Sequence, residues 1–196
     1  DDTVGKSDEE NKLYTDKNAF YTNLADNTDF TQFIAQAGIC GKHGETVYAG
    51  DRWKLSSGTF VAVENEGGNG YSSCVLNGTI EQIVANAPDE AFCGVEMISG
   101  EASISYSNGI LTITSEGGVL KGALLIEGEY TEENKPKYQP KGYGAELTEC
   151  QRYFAQIQCI ATPFTNSDVA YTTVIYPVQM RIKPTFSIIK VLDAQL

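Results

Sequence analysis

Two alternating segments around Asn108-Gly109 constrain the fold more than any other feature of the sequence. Residues 103–107 and 110–114 alternate polar and apolar side chains, the period of a strand with one buried face. Asn-Gly favours a two-residue type I′ turn, because both central residues of that turn take positive φ. The sequence therefore predicts an antiparallel hairpin here.

Similar short runs, separated by turn residues, predict strands along most of the chain. They lie at 52–55, 59–63, 71–76, 79–84, 119–127, 169–176, 179–182 and 185–192. Pro177 and Pro184 suit strand ends or edges. Residues 146–151 begin like a helix, and the alternation at 153–159 favours a strand after one helical turn.

Regularly spaced turn signals between short strands indicate an all-β fold. We predict a jelly-roll-like antiparallel β-sandwich with one short helical turn. Residues 1–18 are polar and carry six acidic side chains, so we expect a polar N-terminal arm or junction. Residues 19–196 are expected to form a single domain.

The charge of the chain excludes two classes of partner. It carries 26 acidic against 14 basic residues, a net charge of −12. Nucleic-acid affinity depends on cations that neutralise phosphates, and anionic lipid repels an acidic surface. No apolar run approaches the roughly 20 residues of a membrane helix. We therefore expect neither a nucleic-acid partner nor a membrane.

The nucleophiles and metal ligands indicate no catalysis. The five cysteines form no C-x-x-C pair, and His43, the one histidine, lies in the glycine-flanked loop 41–44. Cys93 and Cys159 lie in apolar runs and are interpreted as small buried residues in a reducing cytoplasm. We predict no enzyme, metal or cofactor.

Three motifs, together with the segment Asn23-Leu24-Ala25-Asp26-Asn27-Thr28-Asp29-Phe30 before them, carry a resemblance to a known family. They are Asp51-Arg52-Trp53, then Glu146-Leu147-Thr148-Glu149-Cys150-Gln151-Arg152-Tyr153-Phe154, then Pro177-Val178-Gln179-Met180-Arg181-Ile182-Lys183-Pro184-Thr185. In this order they resemble the C-terminal jelly-roll domain of bacteriophage tail fibres and minor virion structural proteins. The resemblance covers roughly residues 20–196, about one hairpin less than the usual domain.

The resemblance implies a lectin-like domain of a virion, assembled in the bacterial host cytoplasm. It implies a homotrimer, a tail-fibre-type receptor-binding role on host-surface carbohydrate, and contacts to other virion proteins through the N-terminal arm. The alternative is a purely structural head fibre, capsid decoration or fibre adaptor. A glycan-degrading enzyme is a third hypothesis, disfavoured by the single histidine.

Candidate residues divide into a sugar-binding set and a structural set. Aromatic side chains near loops suit a glycan, because a pyranose ring stacks on their faces; they are Tyr71, Tyr138, Tyr143, Tyr171 and Trp53. For Trp53 a core or subunit contact is the favoured alternative. The motif positions are Asp51, Arg52, Trp53, Cys150, Gln151, Arg152, Tyr153, Met180, Arg181 and Pro184. For Arg152 and Arg181 we favour an ion pair or a backbone hydrogen-bond anchor over a binding contact, with Glu146 or Glu149 as the partner of Arg152.

Overall fold

A computed structural model describes residues 21–30, 42–43, 46–64, 71–86, 88–155, 157, 162–163 and 170–185. These contain nine strands and one helix. In chain order they are β1 (Lys42–His43), β2 (Thr46–Gly50), β3 (Trp53–Glu64), β4 (Tyr71–Ile83), β5 (Ala91–Ser99), β6 (Ala102–Ser107), β7 (Ile110–Glu127), α1 (Tyr143–Gln151), β8 (Thr162–Pro163) and β9 (Ala170–Tyr171).

Seven of these strands form one antiparallel sheet. Its order is β1-β2-β3-β4-β7-β5, and β6 pairs with β7 beside β5. Strands β8 and β9 form a separate two-stranded sheet. The predicted all-β, antiparallel class is confirmed, and the arrangement is consistent with a β-sandwich. The jelly-roll strand order stays a prediction.

The predicted hairpin joins β6 to β7. Ser107 pairs with Ile110 and Ser103 with Thr114, in the expected register. Asn108 has φ 52° and Gly109 has φ 74°, both positive as a type I′ turn requires. The predicted hairpin is therefore confirmed.

Several predicted boundaries are wrong. The turn signals at 56–58 and at Asn77-Gly78 lie inside continuous strands, and the predicted strand 119–127 is the second half of β7. No strand forms at 153–155, 172–176 or 179–182, and the helix is nine residues long instead of one turn. The arm at 1–18 and the run after Thr185 lie outside the described residues.

A line of glycines crosses the sheet where the long strands would otherwise run straight. Gly58 of β3 pairs with Gly78 of β4, and both have positive φ. A Cβ on Gly58 would lie 2.7 Å from the Gly78 Cα, and a Cβ on Gly100 would lie 2.8 Å from the Gly118 Cα. Backbones this close leave no room for side chains, so we read the line as a corner of the sheet.

Contacts made by residues 26–28 show that the sheet folds over at this corner. Asp26 hydrogen-bonds Gln82, whose neighbour on β7 is Leu111, while the Thr28 carbonyl accepts from Ala123 of β7. Twelve residues of straight strand span about 40 Å, but two residues of chain span at most about 7 Å. The two halves of β7 must therefore face each other across the core.

The core fills the space between the two halves. The cluster contains fully buried Trp53, Ile80, Leu111, Ile113, Leu76, Leu120 and Leu125. Phe30 packs against Trp53, with ring centroids 5.3 Å apart. The sequence motif that ends at Phe30 is thereby part of the core.

Candidate functional site

The segment 23–28 lies along the part of β7 that β4 leaves unpaired. The Asn23 side-chain amide donates to the Ala123 carbonyl at 2.9 Å and accepts from the Leu125 N–H at 3.1 Å. It therefore pairs with β7 as a peptide group of a neighbouring strand would. The Leu24 N–H adds a bond to the Leu125 carbonyl at 2.8 Å. This segment completes the edge of the sheet.

The Glu146 carboxylate of α1 binds the turn at Asn27 and Thr28. It accepts hydrogen bonds from both backbone N–H groups and from the Thr28 hydroxyl. Glu146 is fully buried. Burial raises the pKa of its carboxyl group, while the Asn27 N–H and the Lys141 ammonium oppose the rise. We call residues 23–30, together with the side chains linked to them directly or through Arg52, the motif junction; these side chains are Arg52, Trp53, Gln82, Lys141, Glu146, Tyr153 and Arg181.

Asp26 links the same segment to the opposite layer of the sheet. Its backbone exchanges two hydrogen bonds with the Gln82 side chain, each 2.7 Å long. Its carboxylate accepts from the Arg52 Nε at 2.8 Å, in a pair that is almost buried. The Lys141 ammonium donates to the Ala25 carbonyl and to Glu149, at 2.9 and 2.7 Å. Each of these four charged side chains therefore has a partner of opposite charge, which offsets the cost of their burial.

Arg52 holds a strained backbone position at the centre of the motif junction. Its φ of 72° is unusual for a residue other than glycine. Its guanidinium donates to the Ile83 carbonyl at 2.6 Å and lies 3.4 Å from the centroid of the Tyr153 ring. The Arg181 guanidinium lies 5.5 Å from the same centroid. All three motifs therefore meet at Tyr153, whose ring lies near Arg52 of the first motif and Arg181 of the third.

Trp53 is unavailable to a sugar, so its prediction as a stacking residue is wrong. The side chain is 0% exposed, and its indole N–H donates to the Asn27 carbonyl at 2.9 Å. Strand alternation from Trp53 places the ring on the core face, where it meets Phe30. The alternative role in the core is the one that the structure supports.

The structure describes the side chains of two of the four predicted tyrosines, Tyr138 and Tyr143. The Tyr138 ring covers Gly122 of β7, and its hydroxyl lies 3.4 Å from the Thr28 hydroxyl. Burial raises the pKa of Tyr138 far above its usual value. Tyr143, the first residue of α1, is 59% exposed and available to a ligand. Tyr71 begins β4 and Tyr171 ends β9, and their side chains lie outside the described part of the structure.

Five further motif positions are either buried or half-buried. Cys150 is buried, and this burial raises the pKa of its thiol. Asp51 is also buried, and its backbone carbonyl accepts a hydrogen bond from the Asn27 side-chain amide. Gln151, Met180 and Pro184 are half-buried.

The expected ion pair of Arg152 with Glu146 or Glu149 is wrong. Glu149 pairs with Lys141, and the Glu146 carboxylate is enclosed by the 27–28 turn. Arg152 is exposed instead, and its carbonyl accepts from the Arg181 N–H at 3.0 Å.

One outer face of the sheet carries a ladder of hydroxyl groups. Ser103 pairs with Thr114, which pairs in turn with Thr79, and the two threonine hydroxyls lie 3.0 Å apart. The next row contains Ser105 and Thr112. This face presents hydrogen-bond donors and acceptors on one surface.

Sequence reasoning missed two residues of the motif junction. Gln82 lies on β4 between the core positions Ile80 and Val84, so a polar residue on an inward face was an available signal. Lys141 had no signal for its bond to the segment, because the Ala25 carbonyl is 116 positions away in sequence. Both residues satisfy buried polar groups of the 23–28 segment.

The geometry of the motif junction suits a structural role better than a catalytic or metal-binding one. Its carboxylates are buried or paired, and among the described residues no group of three or more His, Cys, Asp or Glu side chains could hold a metal ion. No helix in the described ranges has the length and apolar character to cross a membrane. Comparison with protein-family models, curated proteins and solved structures finds no match in any of the three.

Proposed function

We propose that this chain is a bacteriophage virion structural protein, a tail-fibre-type adhesion domain that contacts host-surface carbohydrate as a homotrimer. The observation that carries the proposal is the convergence of its motifs. Residues 23–30, the strand start at Arg52 and Trp53, the helix at Glu146 and the segment at Arg181 are far apart in sequence, yet they meet in the motif junction. Motifs that form one structural unit support a shared family more strongly than separate matches do.

Two exposed features support a shallow glycan contact. Tyr143 offers an aromatic face for a sugar ring. The hydroxyl ladder of Thr114 and its neighbours offers polar contacts of the kind that a neutral sugar accepts. Single sites of this type are weak, and three copies would raise avidity without new contacts.

A purely structural role is the second candidate. Trp53 and Tyr138, two of the five predicted sugar-binding aromatics, are engaged in packing. A head fibre, capsid decoration or fibre adaptor needs the stable domain and no ligand.

A glycan array followed by calorimetric titration tests the adhesion proposal. We expect binding to a host-derived polysaccharide, with Tyr143→Phe retaining the affinity and Tyr143→Ala weakening it about three- to tenfold by loss of stacking. Light scattering should give a mass about three times 21.3 kDa. A confirmed trimer that binds no host glycan would leave the structural role as the better account.

A further inference from the structure

The C-terminal quarter of the chain has the opposite charge to the rest. Between Cys150 and Leu196 there are four basic side chains and two acidic ones. Between Asp1 and Glu149 there are ten basic and 24 acidic side chains. A positive region in so acidic a protein concentrates its field where anions can approach.

The structure brings two of these basic residues together at the surface. Arg152 and Arg181 are both exposed, and the Arg181 N–H donates to the Arg152 carbonyl at 3.0 Å. The Arg181 guanidinium lies 5.5 Å from the centroid of the Tyr153 ring. Lys183 is exposed two residues further along. We call Arg152, Arg181 and Lys183 the basic patch.

Nearby acidic groups do not neutralise the basic patch. The Asp26 carboxylate is bound by Arg52, and Glu149 is bound by Lys141. Glu146 is buried beneath the 27–28 turn. Within the described residues, none of the three patch cations takes part in a salt bridge. Because all three side chains are exposed, the positive charge of the patch faces solvent.

We propose that the basic patch binds an anionic cell-surface polysaccharide through its carboxylate or phosphate groups. This inference rests on the proposed adhesion function and names the ligand class. A guanidinium presents paired N–H donors in a plane that matches either oxyanion, and two neighbouring arginines suit a polymer with repeated charges. Exposed Ile182, between Arg181 and Lys183, supplies apolar area for the sugar backbone.

Calorimetric titration of the full chain with three polymers tests the inference. The probes are alginate for carboxylate, poly(glycerol phosphate) teichoic acid for phosphate, and dextran as the neutral control. We expect binding to at least one anionic polymer, weakening as salt is raised, because exposed charges are screened. Arg152→Gln/Arg181→Gln should weaken binding about tenfold at low salt.

The control Lys121→Gln/Lys137→Gln removes the same two charges elsewhere on the surface and should change affinity less than about threefold. Arg181→Lys keeps the charge without the planar donors, so an intermediate loss supports recognition by the guanidinium. Thermal unfolding of every variant establishes that each is folded.

The outcomes separate this inference from the proposed function. Glycan binding that survives Arg152→Gln/Arg181→Gln unchanged would overturn the basic-patch site and leave the adhesion proposal standing. No binding to any glycan on the array or to these polymers would overturn both. Self-association that disappears in the double variant, with glycan binding unchanged, would identify a second copy as the occupant and refute the glycan assignment.

Discussion

Replacing Glu146 tests the motif junction most directly in terms of stability. Glu146→Ala leaves the buried N–H groups of Asn27 and Thr28 without their acceptor. Each unsatisfied buried donor costs about 1–3 kcal/mol. Removing a buried carboxylate relieves its desolvation, which offsets part of that cost. We therefore expect a loss of about 2–4 kcal/mol in the free energy of unfolding.

Urea unfolding followed by Trp53 fluorescence is the appropriate assay. Trp53 is the only tryptophan, and its indole N–H is bonded to the Asn27 carbonyl inside the junction. Glu146→Gln keeps the shape and one acceptor, so we expect a smaller loss of about 1–2 kcal/mol. That variant also keeps the test valid where Glu146→Ala does not fold.

Glu149→Gln is the matched control on the same helix. Its carboxylate pairs with Lys141 at 2.7 Å, but the side chain is 35% exposed. Partly exposed pairs contribute less than about 1 kcal/mol. If Glu146→Ala costs no more than Glu149→Gln, the carboxylate does not hold the 27–28 turn and the reasoning is refuted.

Three further predictions concern the corner, the arginine and pH. Gly78→Ala should lower the free energy of unfolding by more than about 3 kcal/mol, since φ is 140° and the new Cβ would meet the backbone of β3. The control Gly144→Ala places its Cβ in open space on α1 and should be neutral or stabilising, so equal chemical denaturation midpoints for the two variants would contradict this prediction. Arg52→Lys should cost about 1–2 kcal/mol by calorimetry, because lysine lacks the planar stack on Tyr153; an unchanged Tm would argue against it. Burial raises the pKa of Glu146, so the folded state holds the proton of this carboxyl group more tightly than the unfolded state does. The resulting contribution to stability is fully present below the usual pKa of glutamate and is lost as pH rises through the folded pKa. The difference in unfolding free energy between the protein and Glu146→Gln should therefore be larger at pH 4 than at pH 7, and a difference that grows with rising pH would refute the sign.

The two Asn-Gly pairs explain why the sequence predicts only part of the fold. Asn108-Gly109 and Asn77-Gly78 look alike in sequence, yet the first forms a hairpin turn and the second bends a continuous strand. The difference lies in what is opposite each pair, because Gly78 faces Gly58 of the neighbouring strand. Local sequence specifies a residue that can take positive φ, and strand pairing decides its use.

The site shows the same division between local and long-range information. The motifs identified most residues of the motif junction, but Asn27 and Glu146 are 119 positions apart and no local pattern predicts their bond. The sequence likewise could not tell which arginine forms an ion pair. Arg52 does so because it lies opposite Asp26, while Arg152 faces solvent.

Imaging of the intact phage particle that encodes this chain tests the central claim most directly. Electron cryomicroscopy, with a gold-labelled antibody against residues 42–185, would locate the domain on the virion. The tail-fibre proposal predicts label at a fibre end, with residues 1–18 joined to a shaft. Residues 1–18 buried in a capsid contact would support the structural alternative, and purified particles without the chain would contradict the account.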